Sequence, residues 1–304
     1  MMDWKTDFSR QGFVKVPAVN VEPLNEIRSF ICEKTRLHFG LLGIEEDNSE
    51  KFLNDFHKYD ISDDNLNTMK LKLIESCNQR NDFGRLLYEA FSTYIDALLG
   101  PDLLVQKGVN IILFPPHYQH YSEPHRDAPQ NSSFELVIWM PLNRCHGTKT
   151  LYMLNLEQTK KSLSILSEEE SFGQFESFCR TQGQYLTAEF GEACFFWPGL
   201  THGSDVNLED ETRWTLNIRF KNAHSPDGGK DSLQFFDILH LSPVTHFGIE
   251  LEKELYFNSA PINHAPLSLG ANSNKGSNRV EDLAASSTHL DLGEPSNTRK
   301  GLSQ

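Results

Sequence analysis

The chain has 304 residues, 38% hydrophobic and 23% charged, with a formal net charge of −14. That length and apolar content allow a substantial core in one or two domains, and the acidic balance argues against nucleic acid or an anionic membrane as main partner. Five widely spaced cysteines, none in a CxxC pair, signal neither a disulfide framework nor a zinc knuckle. With no apolar leader and no apolar run of ~18 residues, a reduced, cytoplasmic setting is the expectation.

"GFVKVPAV" (12–19) predicts a short strand stopped by Pro17. "EPLNEIRSFICEKTRLHF" (22–39) predicts a helix, with Pro23 in its first turn and Leu24, Ile27 and Ile31 at helical spacing. Further helical patterns run over 65–77 and 83–100, ending at the stop signal Gly100-Pro101. Beyond Pro101 the pattern changes. "LLVQKGVNIILF", "FELVIWMPL", "KTLYML", "GQYLTAEF", "ACFFWP" and "RWTLNIRF" are short β-branched and aromatic runs broken by Gly, Pro and Asn, the pattern of an all-β sandwich or jelly roll. One helical interruption is predicted over 167–180, where Ser167 and Glu170 offer a capping box. "DSLQFFDIL" (231–239) fits a final helix or a strand. From Asn258 the chain is rich in Asn, Ser and Gly with no aromatic residue, and 258–304 reads as a disordered tail.

His125-Arg126-Asp127 spells the catalytic-loop triplet of a protein kinase, and Asp82-Phe83-Gly84 its companion. Their order is reversed, and position 132, where that loop needs a magnesium-binding Asn, is Ser. Asp82-Phe83-Gly84 also opens a helical run, where Asp82 is a sensible N-cap. The kinase reading fails.

A metal reading survives. On an extended strand, residues i and i+2 face the same side, so His125 and Asp127 can bind one ion. His202, at a Gly-bounded turn after the apolar run "ACFFWP", is the natural third ligand. Two histidines and one carboxylate on one face of an octahedron are the signature of non-haem Fe(II) oxygenases. A second His-x-Asp, His289-Leu290-Asp291, lies in the predicted tail with no histidine after it. In "RWTLNIRF", alternation places Arg213, Thr215, Asn217 and Arg219 on one face and Trp214, Leu216, Ile218 and Phe220 on the other. A polar inward face suits a ligand pocket, and an arginine there clamps a carboxylate in a geometry that lysine does not match.

The pattern of His125, Asp127, Gly191, His202, Gly203, Ser204, Asn207 and Arg213 resembles the phytanoyl-CoA-dioxygenase-like branch of the Fe(II)/2-oxoglutarate-dependent oxygenases, over roughly residues 100–222. "FELVIWMPLNRCHGTKTLYML" (134–154) also resembles oxygenases of sporadically distributed bacterial carbohydrate gene clusters. The resemblance implies a double-stranded β-helix (jelly-roll, cupin-like) core within a single oxygenase domain over 1–257, braced by N-terminal helices. It implies Fe(II) on His125, Asp127 and His202, with 2-oxoglutarate and O2 as co-substrates. Arg213 would anchor the distal carboxylate of 2-oxoglutarate with help from Ser204, and Arg219 is a fallback anchor. Asn110 would reach the other end of the co-substrate, and Lys149 and Thr150 stand where some relatives touch it. The implied reaction releases succinate and CO2 and hydroxylates, desaturates or oxidatively cyclises a small metabolite in a biosynthetic pathway. Halogenating relatives lack the carboxylate ligand, so Asp127 disfavours halogenation.

Other readings accompany this one. His117 and His120 form a rival histidine cluster or line the pocket mouth, Arg126 makes a surface or lid contact, and Cys145 and Cys194 are small buried hydrophobes. The insert 155–190 is a lid over the substrate or a surface appendage. The alternative function is a non-catalytic jelly-roll protein that binds a metal or a sugar.

Overall fold

In the computed structural model, residues 3–43, 48–59, 61–128, 131–168, 172–228 and 232–258 are described. The helical part consists of α1 (Trp4–Gln11), α2 (Glu22–His38), α3 (Ser49–Asn54) with a 3-10 turn at Asp55–Tyr59, α4 (Asp63–Arg80) and α5 (Phe83–Leu99), with strand β1 (Phe13–Pro17) between the first two helices. Strands β2 (Leu103–Gln106), β3 (Asn110–Phe114), β4 (Glu135–Pro141) and β5 (Tyr152–Met153) follow. Next come α6 (Leu156–Glu168), α7 (Phe172–Gln182), β6 (Gln184–Tyr185), β7 (Glu192–Phe196), β8 (His202–Gly203) and β9 (Arg213–Asn222). The described chain closes with α8 (Ser232–Phe235), β10 (Phe236–His240) and α9 (Pro243–Asn258).

The strands form two antiparallel sheets. The larger runs β1-β7-β4-β9-β2-β10, and the smaller runs β6-β5-β8. β9 lies between β4 on one edge and two partners on the other, pairing with β3 through Arg213–Asn217 and with β2 through Phe220–Asn222. Its length follows from its composition, a run of β-branched and aromatic residues alternating with polar ones.

Alternation divides the apolar residues of the larger sheet between two cores. Leu136, Ile138, Met140, Phe195, Trp214, Leu216, Ile218 and Phe220 face one way and pack with α2, α4 and α5, where Leu24, Ile27, Ile31, Leu87 and Phe91 are fully buried. Phe13, Val137, Trp139, Cys194 and Phe196 face the other way, onto Leu151, Met153, Leu186, Ala188 and Leu200 on the side of the smaller sheet. Each such side chain stabilises the fold by ~1.5–3 kcal/mol when fully buried. The helices thus brace one face of the large sheet, and the other face is free to help build a site.

The predicted strands and long helices are present, with differences that have physical causes. The interruption between β5 and β6 is two helices, and Ser167 is no N-cap: it lies in the last turn of α6 and bonds back to the Ser164 carbonyl at 3.0 Å. Asp82 does occupy the N-cap position of α5, but its carboxylate accepts from Arg80 instead of capping. "DSLQFFDIL" is both a helical turn and a strand. The insert forms the helix pair α6 and α7. Tyr152 and Leu154 of the small sheet face Phe175 and Cys179 of α7, while Leu151 and Met153 face inward, so this helix pair covers the outside of the sheet. α1, α3 and α9 were not foreseen. The predicted tail, with His289 and Asp291, lies outside the described residues apart from Asn258. All five cysteines are buried thiols, and burial pushes Cys145 up to about 12, leaving it inert. No helix among the described residues is long and apolar enough to cross a membrane.

Candidate metal centre

His202 is the first residue of β8, which pairs with β5 through Met153. Its backbone also exchanges hydrogen bonds with His125: His125 N donates to His202 O at 2.9 Å, and His202 N to His125 O at 3.0 Å. This two-residue antiparallel bridge places the imidazoles side by side with ring centres 4.4 Å apart. Two residues on, Asp127 joins them. One ligand atom from each of His125, Asp127 and His202 lies within 4.8 Å of the others, as one shared ion requires.

The hydrogen bonds around the imidazoles select the coordinating nitrogens. His125 Nδ1 is 2.7 Å from the Glu123 carbonyl and His202 Nδ1 is 3.0 Å from the Leu200 carbonyl. A carbonyl only accepts, so each Nδ1 carries the proton and each Nε2 keeps its lone pair, the arrangement of metal-bound histidines. Burial pushes the His202 pKa down to about 4, with a smaller push from His125, so this ring is neutral near pH 7. For Asp127, burial favours the protonated acid, but His202, Arg219 and His125 together hold the carboxyl below the usual carboxylate range. One carboxylate oxygen and two imidazole nitrogens suit a divalent iron or one of its neighbours in the transition series. His125 is nearly half exposed whereas His202 is buried, so the open side of the site is that of His125.

Gly203 is needed here for space. A Cβ on it would come within 2.6 Å of the Tyr152 hydroxyl and 2.9 Å of the Ser122 carbonyl. Gly203→Ala is therefore expected to destabilise the protein by ~1–3 kcal/mol and to weaken metal binding by displacing β8, measured by denaturant melts and metal titration. An unchanged midpoint and affinity would show that β8 yields without cost.

The polar face of β9 meets the triad through Arg219, which bonds Asp127. Arg213 is 3% exposed, donates from Nη1 to the Thr150 carbonyl at 2.9 Å, and leaves Nε buried without a partner. Its guanidinium is flanked by Phe114 and Trp139 at 5.5 and 6.0 Å from the ring centres. Among the described residues no carboxylate pairs with it, and burial pushes its pKa down to about 10. Trp139 Nε1, Thr215 Oγ1 and Asn217 Oδ1 are also buried without partners. Buried polar groups are normally satisfied. A row of unsatisfied ones on the face that carries Trp139 and Arg213 is what a pocket for a polar, anionic ligand looks like.

Solved structures of non-heme enzymes resemble this chain. The non-heme monooxygenase ThoJ, as its nickel complex, shares 16% identity over 79% of this chain and 84% of its own, with a TM-score of 0.49. The alpha ketoglutarate dependent epimerase SnoN from nogalamycin biosynthesis shares 15% identity over 79% of this chain and 95% of its own at 0.41. The carbocyclase SnoK from the same biosynthesis shares 13% over 80% and 94% at 0.44. No protein-family model and no curated protein matches the sequence. A likeness of this degree says nothing about reaction or substrate, which are argued from the side chains.

The other expected contacts divide. Asn110 is exposed on β3 and faces Asn217 across the pair, on the same side as Arg213. Ser204 is buried, but its contacts are with Ser122, whose N–H donates to its hydroxyl at 3.0 Å. Thr150 contributes through its backbone, since its hydroxyl donates to the Leu186 carbonyl at 2.7 Å while its own carbonyl holds Arg213. Lys149 is fully buried on Glu211 at 2.6 Å and Asn54 at 3.1 Å, so it is committed to the framework. Arg219 does not stand free as a second anchor: it donates to Asp127 Oδ2 at 3.0 Å. Asn207 bonds the carbonyls of Phe114 and Glu211 and shapes its loop. His117 and His120 stay outside the ligand cluster.

Asn54 was missed altogether, because an Asn on a short helix far back in the chain gives no signal. Its side-chain oxygen accepts from Asn143 at 2.7 Å and from Lys149, and its carbonyl accepts from Thr212 N at 2.9 Å, next to Arg213. Asn54→Ala removes one acceptor from each of two buried donors, which keep Thr212 O and Glu211 as second partners, and is expected to cost ~0.5–1.5 kcal/mol per lost bond. A melting midpoint within error of wild type would show that other groups already satisfy them.

Proposed function

We propose that the protein is an Fe(II)/2-oxoglutarate-dependent dioxygenase with a double-stranded β-helix core, acting on a small metabolite. The observation that carries this reading is the pairing of a two-His, one-carboxylate cluster with a buried arginine that has no counter-ion. Either feature alone has bland explanations. Together they provide three protein ligands for an iron and a cationic anchor for an anionic co-substrate.

His125 and His202 would hold the iron through Nε2 and Asp127 through a carboxylate oxygen. Iron bound there supplies activation of O2 coupled to decarboxylation of 2-oxoglutarate. The chain's own residues do the rest. Glu123 O and Leu200 O fix the imidazoles. Arg213 orients the co-substrate by its distal carboxylate, and Phe114 and Trp139 exclude water around that pair, which strengthens it. The open side at His125 is where a substrate would enter. The carboxylate ligand supports hydroxylation, desaturation or cyclisation over halogenation.

Anaerobic addition of Fe(II) and 2-oxoglutarate should give a weak visible charge-transfer band, and admission of O2 should release succinate. A protein that binds metal yet shows neither band nor succinate would be a non-catalytic metal-binding module, and the proposal would fail.

A further inference from the structure

Arg219 is on β9, and its guanidinium spans two carboxylates. Nη2 donates to Asp127 Oδ2 at 3.0 Å, and Nε lies 3.5 Å from Glu135 Oε2. Gln106 Oε1 is 3.5 Å from Nη1. Glu135, at the head of β4, is itself buried, and its other oxygen accepts from Ser132 N at 3.0 Å. Asp127 and Glu135 bracket the connection between the metal site and β4, so one arginine fastens both ends of it to β9.

The two oxygens of Asp127 therefore have different fates. Oδ2 is taken by Arg219, while Oδ1 lies 3.7 Å from His125 Nε2, on the side of the imidazole lone pairs. We infer that Arg219 is a positioning residue that commits Asp127 to bind the metal through Oδ1 alone, keeping open the coordination position that a two-oxygen carboxylate would occupy. This inference rests on the metal-site reading. A guanidinium does this better than an ammonium because it has separate N–H groups to turn toward Asp127 and Glu135 at once. Glu135 is the group that stops Arg219 from swinging away, so its loss should act in the same direction and more weakly.

The test uses Co(II) alone, titrated into the metal-free full chain and followed by its visible d–d spectrum, with the apo melting temperature as a control for folding. Arg219→Ala is expected to bind Co(II) ~10–100-fold more weakly, as when a residue that orients a ligand is removed, and to change the spectrum through an altered coordination number. Arg219→Lys should restore part of the affinity, and Glu135→Gln should show a smaller loss. If Arg219→Ala does not fold, Glu135→Gln and Arg219→Lys still decide the matter. Wild-type affinity and an unchanged spectrum in the foldable variants would overturn the positioning role, with the metal site intact. A wild-type protein that fails to bind Co(II) would overturn the metal site itself, and the inference with it.

Discussion

His125→Ala and His202→Ala are expected to lose divalent metal affinity by more than about a hundredfold, above the range for a residue that only orients a ligand. Each removes one of the two neutral nitrogens whose lone pair is reserved by the Nδ1 bond to a backbone carbonyl. The two variants should differ in everything else. His125 is nearly half exposed, and its loss should leave the metal-free protein within ~0.5 kcal/mol of wild type. His202 is buried with its ring 5.0 Å from that of Phe196, so His202→Ala also opens a space in the core and should lower apo stability by ~1–3 kcal/mol. Metal titration and denaturant melts of the apo proteins separate the effects. Undiminished metal affinity in His125→Ala would remove it from the ligand set.

Arg213→Met should divide binding from stability in the opposite sense. A buried, unpaired charge costs several kcal/mol even after relaxation, whereas stranding the Thr150 carbonyl costs ~1–3 kcal/mol. The first effect wins, so the metal-free variant should melt no lower than wild type. Losing the charge-assisted contact to a carboxylate should cost ~2–5 kcal/mol of 2-oxoglutarate binding, or about thirtyfold and upward. The ligand-induced stabilisation, ~2.7 kcal/mol at a hundredfold excess over Kd, should fall below ~1 kcal/mol at the same concentration. Calorimetric titration with 2-oxoglutarate and thermal melts with and without it check both halves. A variant that keeps the full gain in stability from 2-oxoglutarate would show that the anchor is elsewhere on the β9 face.

Much of this was legible in the chain because it depends on short periods. The alternation of "RWTLNIRF" separates Arg213, Thr215, Asn217 and Arg219 from Trp214, Leu216, Ile218 and Phe220, and the structure places one set against Trp139 and the other against the helices. His125 and Asp127 do meet, but not as two positions of an extended strand: His125 sits on an isolated bridge to His202 and Asp127 in a bend two residues on. Where the insert packs depends on which side of a two-residue strand it meets, and no local pattern carries that. Glu135 did leave a trace, as a lone charge in the apolar run "FELVIWMPL", but a carboxylate there reads as an exposed edge until a partner is known.

By itself, then, the sequence determined which side chains share a face, because the pleat of a strand fixes that within a few residues. Only the tertiary structure decided which distant groups they meet. It showed that His202 pairs backbone to backbone with His125, that Thr150 holds Arg213 by its carbonyl and not its hydroxyl, and that Arg219 reaches across to Asp127. Those contacts are set by the register between strands far apart in the chain, and register is a property of the whole packed sheet.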